Sequence, residues 1–121
     1  PTEDHTMKKA HVTIHYDAGH AWASATRREL IDLGIEHLIS PCSYQSGGHI
    51  YLEEDCDLAT YCHARGLTPA GIEWVEIDDG DHSPIRNLSP FHPKSRDAAT
   101  HEERIAHQRT IHQAAKAAAV S

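Results

Sequence analysis

The chain has 121 residues, and its 11 Lys and Arg against 18 Asp and Glu give a formal charge of −7 with the histidines neutral. This length suits one domain and is too short for two well-formed cores. The negative charge argues against binding to the phosphate backbone of a nucleic acid, and it favours a partner with a basic surface.

The cysteines and the lack of long apolar runs predict a cytoplasmic protein. The three cysteines are odd in number and include no CxxC pair, which is typical of a reducing setting. The chain has no run of ~18 apolar residues, so we expect no membrane span. The polar N-terminus PTEDHTMKKA does not have the pattern of an export signal.

The first predicted element is a strand over AHVTIHYD, where apolar and polar residues alternate. Its two faces carry Val12, Ile14 and Tyr16 on one side and His11, Thr13 and His15 on the other. The next segment, DAGHAWASA, is expected to be a loop. A helix then begins at Thr26, which can cap it while Glu29 reaches back, and ends near Gly34.

Two antiparallel strands are predicted over IEHLISPCSYQ and HIYLEE, because the glycines of SGG between them can adopt the positive φ of a hairpin loop. A second helix is expected over about CDLATYCHARG, and it should end at Gly66. A fourth strand follows over GIEWVEIDDG.

This order of elements predicts an α+β fold, a βαββαβ ferredoxin-like (split βαβ) sandwich with two helices on one face of an antiparallel sheet. The other face carries His11, Thr13 and His15, and Trp74 of the fourth strand could join them. This face would be open to a partner or to a second copy in a homodimer. We expect a flexible N-terminus over residues 1–9, the domain over 10–92 and a C-terminal helical tail over 93–121. The tail begins with a capping pattern, Thr100 to Glu103.

Four carboxylates crowd the segment YLEEDCD. Asp55 is expected to cap the second helix, and Asp57 to lie in its first turn, where negative charge is favourable. Glu53 and Glu54 should point to opposite faces of the strand, so that at most three carboxylates could converge, enough for a Mg²⁺ ion. The structural role is favoured, and we predict no cofactor and no metal.

Two loops carry the other candidate residues. In DAGHAW, His20 could act as a general acid or base and Trp22 could supply an apolar wall. The alternative is that Trp22 fills the core and His20 bonds to the chain. In SPIRN, Arg86 is expected to pair with Glu54 or Asp55 and so relieve the repulsion between the carboxylates.

The combination of YDAGHAW, LGI, SYQ, YLEEDCD and SPIRN resembles a family of small, mostly uncharacterised proteins of bacteriophages and bacterial genomes. The resemblance spans roughly residues 11–91. That family often has proline at the position of Thr26 and a larger apolar residue at the position of Ala23. The resemblance implies a phage or bacterial setting and assigns no catalytic residue.

Two functional hypotheses follow. The favoured one is a non-enzymatic interaction protein, such as a phage-type modulator or inhibitor of a host factor, because the chain lacks a nucleophile elbow and a phosphate-binding loop. The alternative is a small metal-assisted hydrolase that uses His20, Glu54 and Arg86, and convergence of these side chains would favour it. The candidate binding residues are His20, Trp22, Tyr44, Glu53, Glu54 and Arg86.

Overall fold

The computed structural model describes residues 9–93 and 101–120, the latter with the side chains of residues 103 and 105–113. The strands are β1 (Ala10–Tyr16), β2 (Ala21–Thr26), β3 (Tyr44–Ser46), β4 (His49–Glu53), β5 (Ile72–Asp78) and β6 (Ser89–Pro90). The helices are α1 (Arg27–Asp32), α2 (Leu58–Ala64) and α3 (His101–Val120). The predicted flexible N-terminus, apart from Lys9, and Thr100 of the predicted cap lie outside the described residues.

The strands form one mixed sheet in the order β5-β1-β2-β4-β3-β6. Strand β1 pairs in parallel with β5, and the other neighbours pair antiparallel. The α+β class is therefore confirmed, but the purely antiparallel sheet is wrong and the ferredoxin-like order is not what the strands form.

The main cause of this difference is β2, which lies in the segment that was predicted to be a loop. The backbone N–H of Asp17 donates to the carbonyl of His20 at 3.0 Å, and this bond closes a tight turn between β1 and β2. The core-facing residues of this strand, Ala21, Ala23 and Ala25, are small, and alanine has a low preference for strands, so the strand pattern is weak. The predicted strand IEHLISPCSYQ is correspondingly shorter, with a 3₁₀ turn over Glu36–Leu38 and only β3 extended.

The core lies between one face of the sheet and the helices α1 and α2. The buried cluster of this core includes Val12, Ala23, Ala25, Ile50 and Leu52 from the strands, together with Leu30 of α1 and Tyr61 of α2. The strand pairs Ala23 with Leu52 and Ala25 with Ile50 put these side chains on one face. We call the opposite side of the sheet the outer face.

Both predicted helix ends are confirmed, and so is the Thr26 half of the predicted capping box, whereas the Glu29 carboxylate accepts from the Tyr61 hydroxyl at 2.8 Å. The hydroxyl of Thr26 accepts a hydrogen bond from the Glu29 backbone at 3.1 Å, which caps α1. Gly34 and Gly66 follow α1 and α2 with φ of 75° and 69°, a conformation that glycine adopts without the strain of a side chain.

The predicted roles of Asp55 and Asp57 at α2 are wrong. Asp57 occupies the N-cap position, but its side chain makes no capping bond. Instead its carboxylate accepts from the Ser40 backbone at 3.1 Å, from the Ser40 hydroxyl at 2.8 Å and from the Ser43 hydroxyl at 2.6 Å. Because Asp57 is 2% exposed, the buried loop before β3 obtains its acceptor from this residue.

Strand register decides which side chains share the outer face. His11, Thr13 and His15 lie there, as predicted from the alternation, and their β5 neighbours are Glu73, Val75 and Ile77. Trp74 pairs instead with the buried Val12, so the expectation that Trp74 could join the histidines is wrong. It lies on the core side of the edge strand, 37% exposed.

Helix α3 packs against α2. The Gln108 side chain donates to the Cys56 carbonyl at 3.0 Å and to the Thr60 hydroxyl at 2.7 Å, and Ile111 is buried. Within the described part of the chain, no helix combines the length and the apolar character that crossing a bilayer requires.

Candidate functional site

The candidate site lies on the outer face, where the β1–β2 turn meets the end of β4. Register places His15 opposite Trp22, and Trp22 in turn opposite Glu53, so three neighbouring strands contribute to one row. The turn that carries His20 continues directly from this row. Candidate residues from three separate segments of the sequence therefore lie close together here.

The β1–β2 turn is organised by Asp17. One oxygen of its carboxylate accepts from the backbone of Gly19 at 2.9 Å and of His20 at 3.0 Å. This arrangement is an Asx-turn, in which a short side chain takes the place of a backbone acceptor. A Cβ atom at Gly19 would lie 3.0 Å from the Arg86 guanidinium, so glycine permits the close approach of Arg86.

Arg86 pairs with Asp17. The predicted pairing with Glu54 or Asp55 is therefore wrong. Its Nε and Nη2 donate to the two Asp17 oxygens at 2.6 and 2.8 Å, a bidentate pair. The backbone of Ser83 adds a bond to Asp17 at 2.8 Å. Arg86 foremost, and then these backbone donors, hold the pKa of Asp17 far below its usual range, although burial opposes them.

Trp22 is the centre around which the other side chains pack. It is 2% exposed, with the His20 ring at 6.0 Å, the Tyr44 ring at 6.3 Å and the Arg86 guanidinium 5.2 Å from its ring centroid. A guanidinium over an indole face is a favourable cation–π contact. The Trp22 Nε1 is buried and has no hydrogen-bond partner among the described residues.

His20 is held by Glu53. Its Nδ1 donates to Glu53 Oε2 at 2.8 Å, while the other Glu53 oxygen accepts from the Asp55 backbone at 2.7 Å. The His20 side chain is 47% exposed, whereas that of Glu53 is 11% exposed. A carboxylate bonded to one ring nitrogen fixes the tautomer and leaves Nε2 for a proton or a ligand.

His20, Glu53, Glu54 and Asp55 form a His–carboxylate cluster, in which one ligand atom of each residue lies within 4.8 Å of those of the other three. The prediction that Glu53 and Glu54 point to opposite faces is wrong because the strand ends at Glu53. The chain then turns, with the Cys56 backbone donating to the Glu53 carbonyl at 3.1 Å. This turn brings Glu54 and Asp55 back beside His20.

The cluster accumulates negative charge. Burial, and then the neighbouring charges of Asp55 and Glu53, raise the pKa of Glu54. One imidazole nitrogen and several carboxylate oxygens are ligands that Mn²⁺, Zn²⁺ and Mg²⁺ accept, and a bound cation would relieve this repulsion. The ligand set is one that a divalent cation accepts, and the absence of a metal stays a prediction.

A cavity of about 660 Å³ shares Asp55 with the cluster. Its lining also includes Leu38, Cys42, Cys56 and Ile105, so it combines apolar groups with thiols. Burial foremost, and then the Cys42 thiol, raises the pKa of Cys56 to about 12. Cys56 is therefore a neutral thiol near pH 7 and a poor nucleophile.

The six predicted binding residues converge, but their partners differ from those expected. His20, Tyr44 and Arg86 surround Trp22, and the two glutamates adjoin His20. Asp17 was missed as a functional residue, and Asp55 was assigned to a helix cap. The Asp-x-Gly pattern of the turn was the available signal for Asp17.

Comparison of the chain with protein-family models, with curated proteins and with solved structures finds no match. The resemblance to a phage and bacterial family stays a prediction.

Proposed function

We propose that the His–carboxylate cluster binds a divalent cation and that the protein is a small metal-assisted hydrolase. The observation that carries this proposal is the approach of four potential ligand atoms to within 4.8 Å of one another. The cavity that adjoins Asp55 offers room for a substrate group beside the cation.

Each member of the cluster has a role in this proposal. His20, through Nε2, and the exposed Asp55 hold the cation, while Glu53 fixes the His20 ring. A cation held there would polarise a water for attack on the substrate. Glu54, whose raised pKa makes it a better base, would take the proton of that water and pass it to the leaving group.

Arg86 has a positioning role rather than the catalytic role that the hydrolase hypothesis gave it. Both of its bonds to Asp17 are made within the protein, and its guanidinium lies over Trp22. It thereby anchors the turn that presents His20.

The first test is titration with Mn²⁺, followed by the loss of the free-ion electron paramagnetic resonance signal. We expect one equivalent to bind, and we expect His20→Ala and Asp55→Asn each to weaken binding by at least about tenfold. His11→Ala and Glu76→Gln are matched controls, because both residues are exposed and lie outside the cluster. Equal affinity in all four variants would show that Mn²⁺ binds elsewhere, and the proposal would fail.

The hydrolase part has its own test. Chromogenic carboxylic esters, phosphodiesters and peptides are incubated with the Mn²⁺-loaded protein and with the Glu54→Gln variant. Turnover of one class that disappears with a chelator and with Glu54→Gln supports hydrolysis. If Mn²⁺ binds but no substrate class is hydrolysed, the cluster is a cation site without enzymatic activity, and the hydrolase proposal is wrong.

Protein binding is a second candidate function, in line with the hypothesis of a phage-type modulator of a host factor with a basic surface. The observation that favours it is the acidic and exposed strand β5 at the sheet edge. The three free thiols fit the cytoplasmic setting that we propose for either function.

A further inference from the structure

We propose that the free edge of β5 binds an extended, Lys- or Arg-bearing segment of a partner protein, which adds a strand to the sheet. This inference rests on the second candidate function and is independent of the cation cluster. It names the docking element, the geometry of binding and the chemistry of the partner.

Strand β5 is the last strand of the sheet on one side, and β1 is its neighbour. Only Ile72 of its seven residues is buried. The exposed residues include large apolar side chains, with Trp74 at 37%, Val75 at 43% and Ile77 at 39%. Among residues 9–93 and 101–120, no strand pairs with the outer edge of β5, and its side chains are exposed on both faces, which is the arrangement that strand addition requires.

The backbone of β5 presents a regular row of outward hydrogen-bonding groups. The Asp79 backbone donates to the Tyr16 carbonyl at 2.8 Å, which directs the odd-numbered residues toward β1. Since successive residues of a strand point their N–H and C=O groups in opposite directions, Trp74, Glu76 and Asp78 direct theirs outward. An incoming strand can pair with these three residues.

Lys, Pro, other charged side chains and bulges are the common protections of an edge strand. Of these, β5 has only its acidic side chains, and a basic segment would neutralise them. Strand β5 contains neither Lys nor Pro, and it pairs with β1 residue for residue from Ala10 opposite Ile72 to Tyr16 opposite Asp78, without a bulge. Its geometry is that of an interior strand although it lies at the edge.

The acidic charge of β5 indicates a basic partner. Strand β5 carries Glu73, Glu76 and Asp78, and the sequence has no Lys or Arg between Arg65 and Arg86. A second copy of the chain would bring the same acidic strand and a further −7 of formal charge, so a basic segment fits better than self-association.

Register also predicts the side-chain pattern of the partner. Val75 and Ile77 lie on the outer face, whereas Glu76 and Asp78 lie on the core side. Opposite charges and apolar pairs across neighbouring strands are each favourable. The partner segment should therefore alternate basic residues, which face Glu76 and Asp78, with apolar residues, which face Val75 and Ile77.

The test uses a capped synthetic peptide of alternating Lys and Val, with a Glu and Val peptide as the charge control. Binding is followed by nuclear magnetic resonance of the backbone amides in physiological salt. We expect the Lys peptide to slow hydrogen exchange at Trp74, Glu76 and Asp78, and the Glu peptide to have no effect. If the Lys peptide protects none of these amides, the proposal is wrong.

The matched variants are Glu76→Pro and Glu76→Gln. Both remove the same charge, but only proline removes an outward N–H group, and it leaves the bonds to β1 in place. We expect Glu76→Pro to weaken peptide binding about tenfold relative to Glu76→Gln, the effect of one lost hydrogen bond of about 1.4 kcal/mol. Equal affinities would mean that the peptide binds by charge alone, which would overturn strand addition.

Three further measurements separate the remaining outcomes. Thermal unfolding of Glu76→Pro establishes that the variant is folded. Titration of the same variant with Mn²⁺ establishes that the cation cluster is intact, so a loss of peptide binding is distinct from a loss of cation binding. Light scattering measures the oligomeric state. A dimer that Glu76→Pro dissociates would identify a second copy as the occupant and would overturn the basic partner.

Discussion

Asp17 accepts hydrogen bonds from two parts of the chain that are far apart in sequence. Its oxygens bond to the backbone of its own turn and to Ser83 and Arg86, which follow β5. The side chain is fully buried, and Arg86 compensates its charge. One carboxylate therefore joins the turn that carries His20 to the segment that covers Trp22.

The depressed pKa of Asp17 makes this link dependent on pH. Its contribution to stability is complete above the unfolded-state pKa of about 3.9 and is lost as the pH falls toward the lower folded-state pKa. We expect the wild-type protein to lose stability progressively as the pH falls below about 5, and Asp17→Asn to lose less because it cannot titrate. Urea unfolding at each pH measures the difference.

Asp81→Asn is the control for this prediction, because Asp81 is an exposed carboxylate in the segment after β5. It should keep the pH dependence of the wild type. A dependence that is unchanged in Asp17→Asn would mean that another carboxylate governs the acid sensitivity.

Glu54 is expected to have the opposite effect on stability. Its pKa is raised in the folded protein, so its favourable contribution is present at low pH and is lost as the pH rises through that raised value. At neutral pH, Glu54→Gln should therefore raise the thermal midpoint in the absence of a cation, a common cost of functional sites. Differential scanning calorimetry in a chelator measures this effect.

Asp55→Asn should lose the stabilisation that a bound cation provides, because Asp55 is a proposed ligand. For the wild type, free Mn²⁺ at about a hundred times the Kd is expected to add about 2.7 kcal/mol to the free energy of unfolding. A wild-type midpoint that does not respond to Mn²⁺, or an Asp55→Asn variant that responds equally, would count against a cation at Asp55.

At the scale of elements, predictions succeeded where a local signal decided the structure. Thr26 caps α1, and Gly34 and Gly66 follow the helices, because capping and positive φ depend on a few adjacent residues. Strand β2 was missed because its core-facing residues are alanines. The acidic segment before α2 was assigned wrongly because the acceptor that Ser40 and Ser43 need lies outside their own loop.

The roles of Asp57 and Asp55 can be compared directly. Asp57→Ala should lower the free energy of unfolding by about 3 kcal/mol, because it leaves the buried donors of Ser40 and Ser43 without their acceptor. Asp55→Ala should change it by less than about 0.5 kcal/mol, because Asp55 is exposed and does not occupy the N-cap of α2. Urea unfolding measures both, and a larger loss for Asp55→Ala would restore it as the cap.

At the scale of the whole molecule, the parallel pairing of β1 with β5 assembles the candidate site. Tyr16 lies opposite Asp78, so the segments that follow both strands leave the sheet at the same end and meet. This meeting brings Arg86 to Asp17, 69 positions apart. The residue types of the site could be predicted because they are polar or aromatic and lie near loops, but an antiparallel sheet would not have brought these segments together.

The two proposed surfaces are built from different elements. The cluster uses the turn after β1 and the end of β4, whereas the docking edge uses β5. Both are acidic, and neither contains a residue of the other. Variants of one surface are therefore expected to act additively with variants of the other.

The positions of the two tryptophans give each surface its own intrinsic fluorophore. Trp22 is shielded from water and lies beside His20 and Arg86, whereas Trp74 is open to solvent on β5. Indole fluorescence moves to longer wavelength as water contact increases, so Trp74 is expected to emit at longer wavelength than Trp22. A cation near His20 is expected to change the emission intensity of Trp22, and an added strand is expected to shift the emission maximum of Trp74 to shorter wavelength.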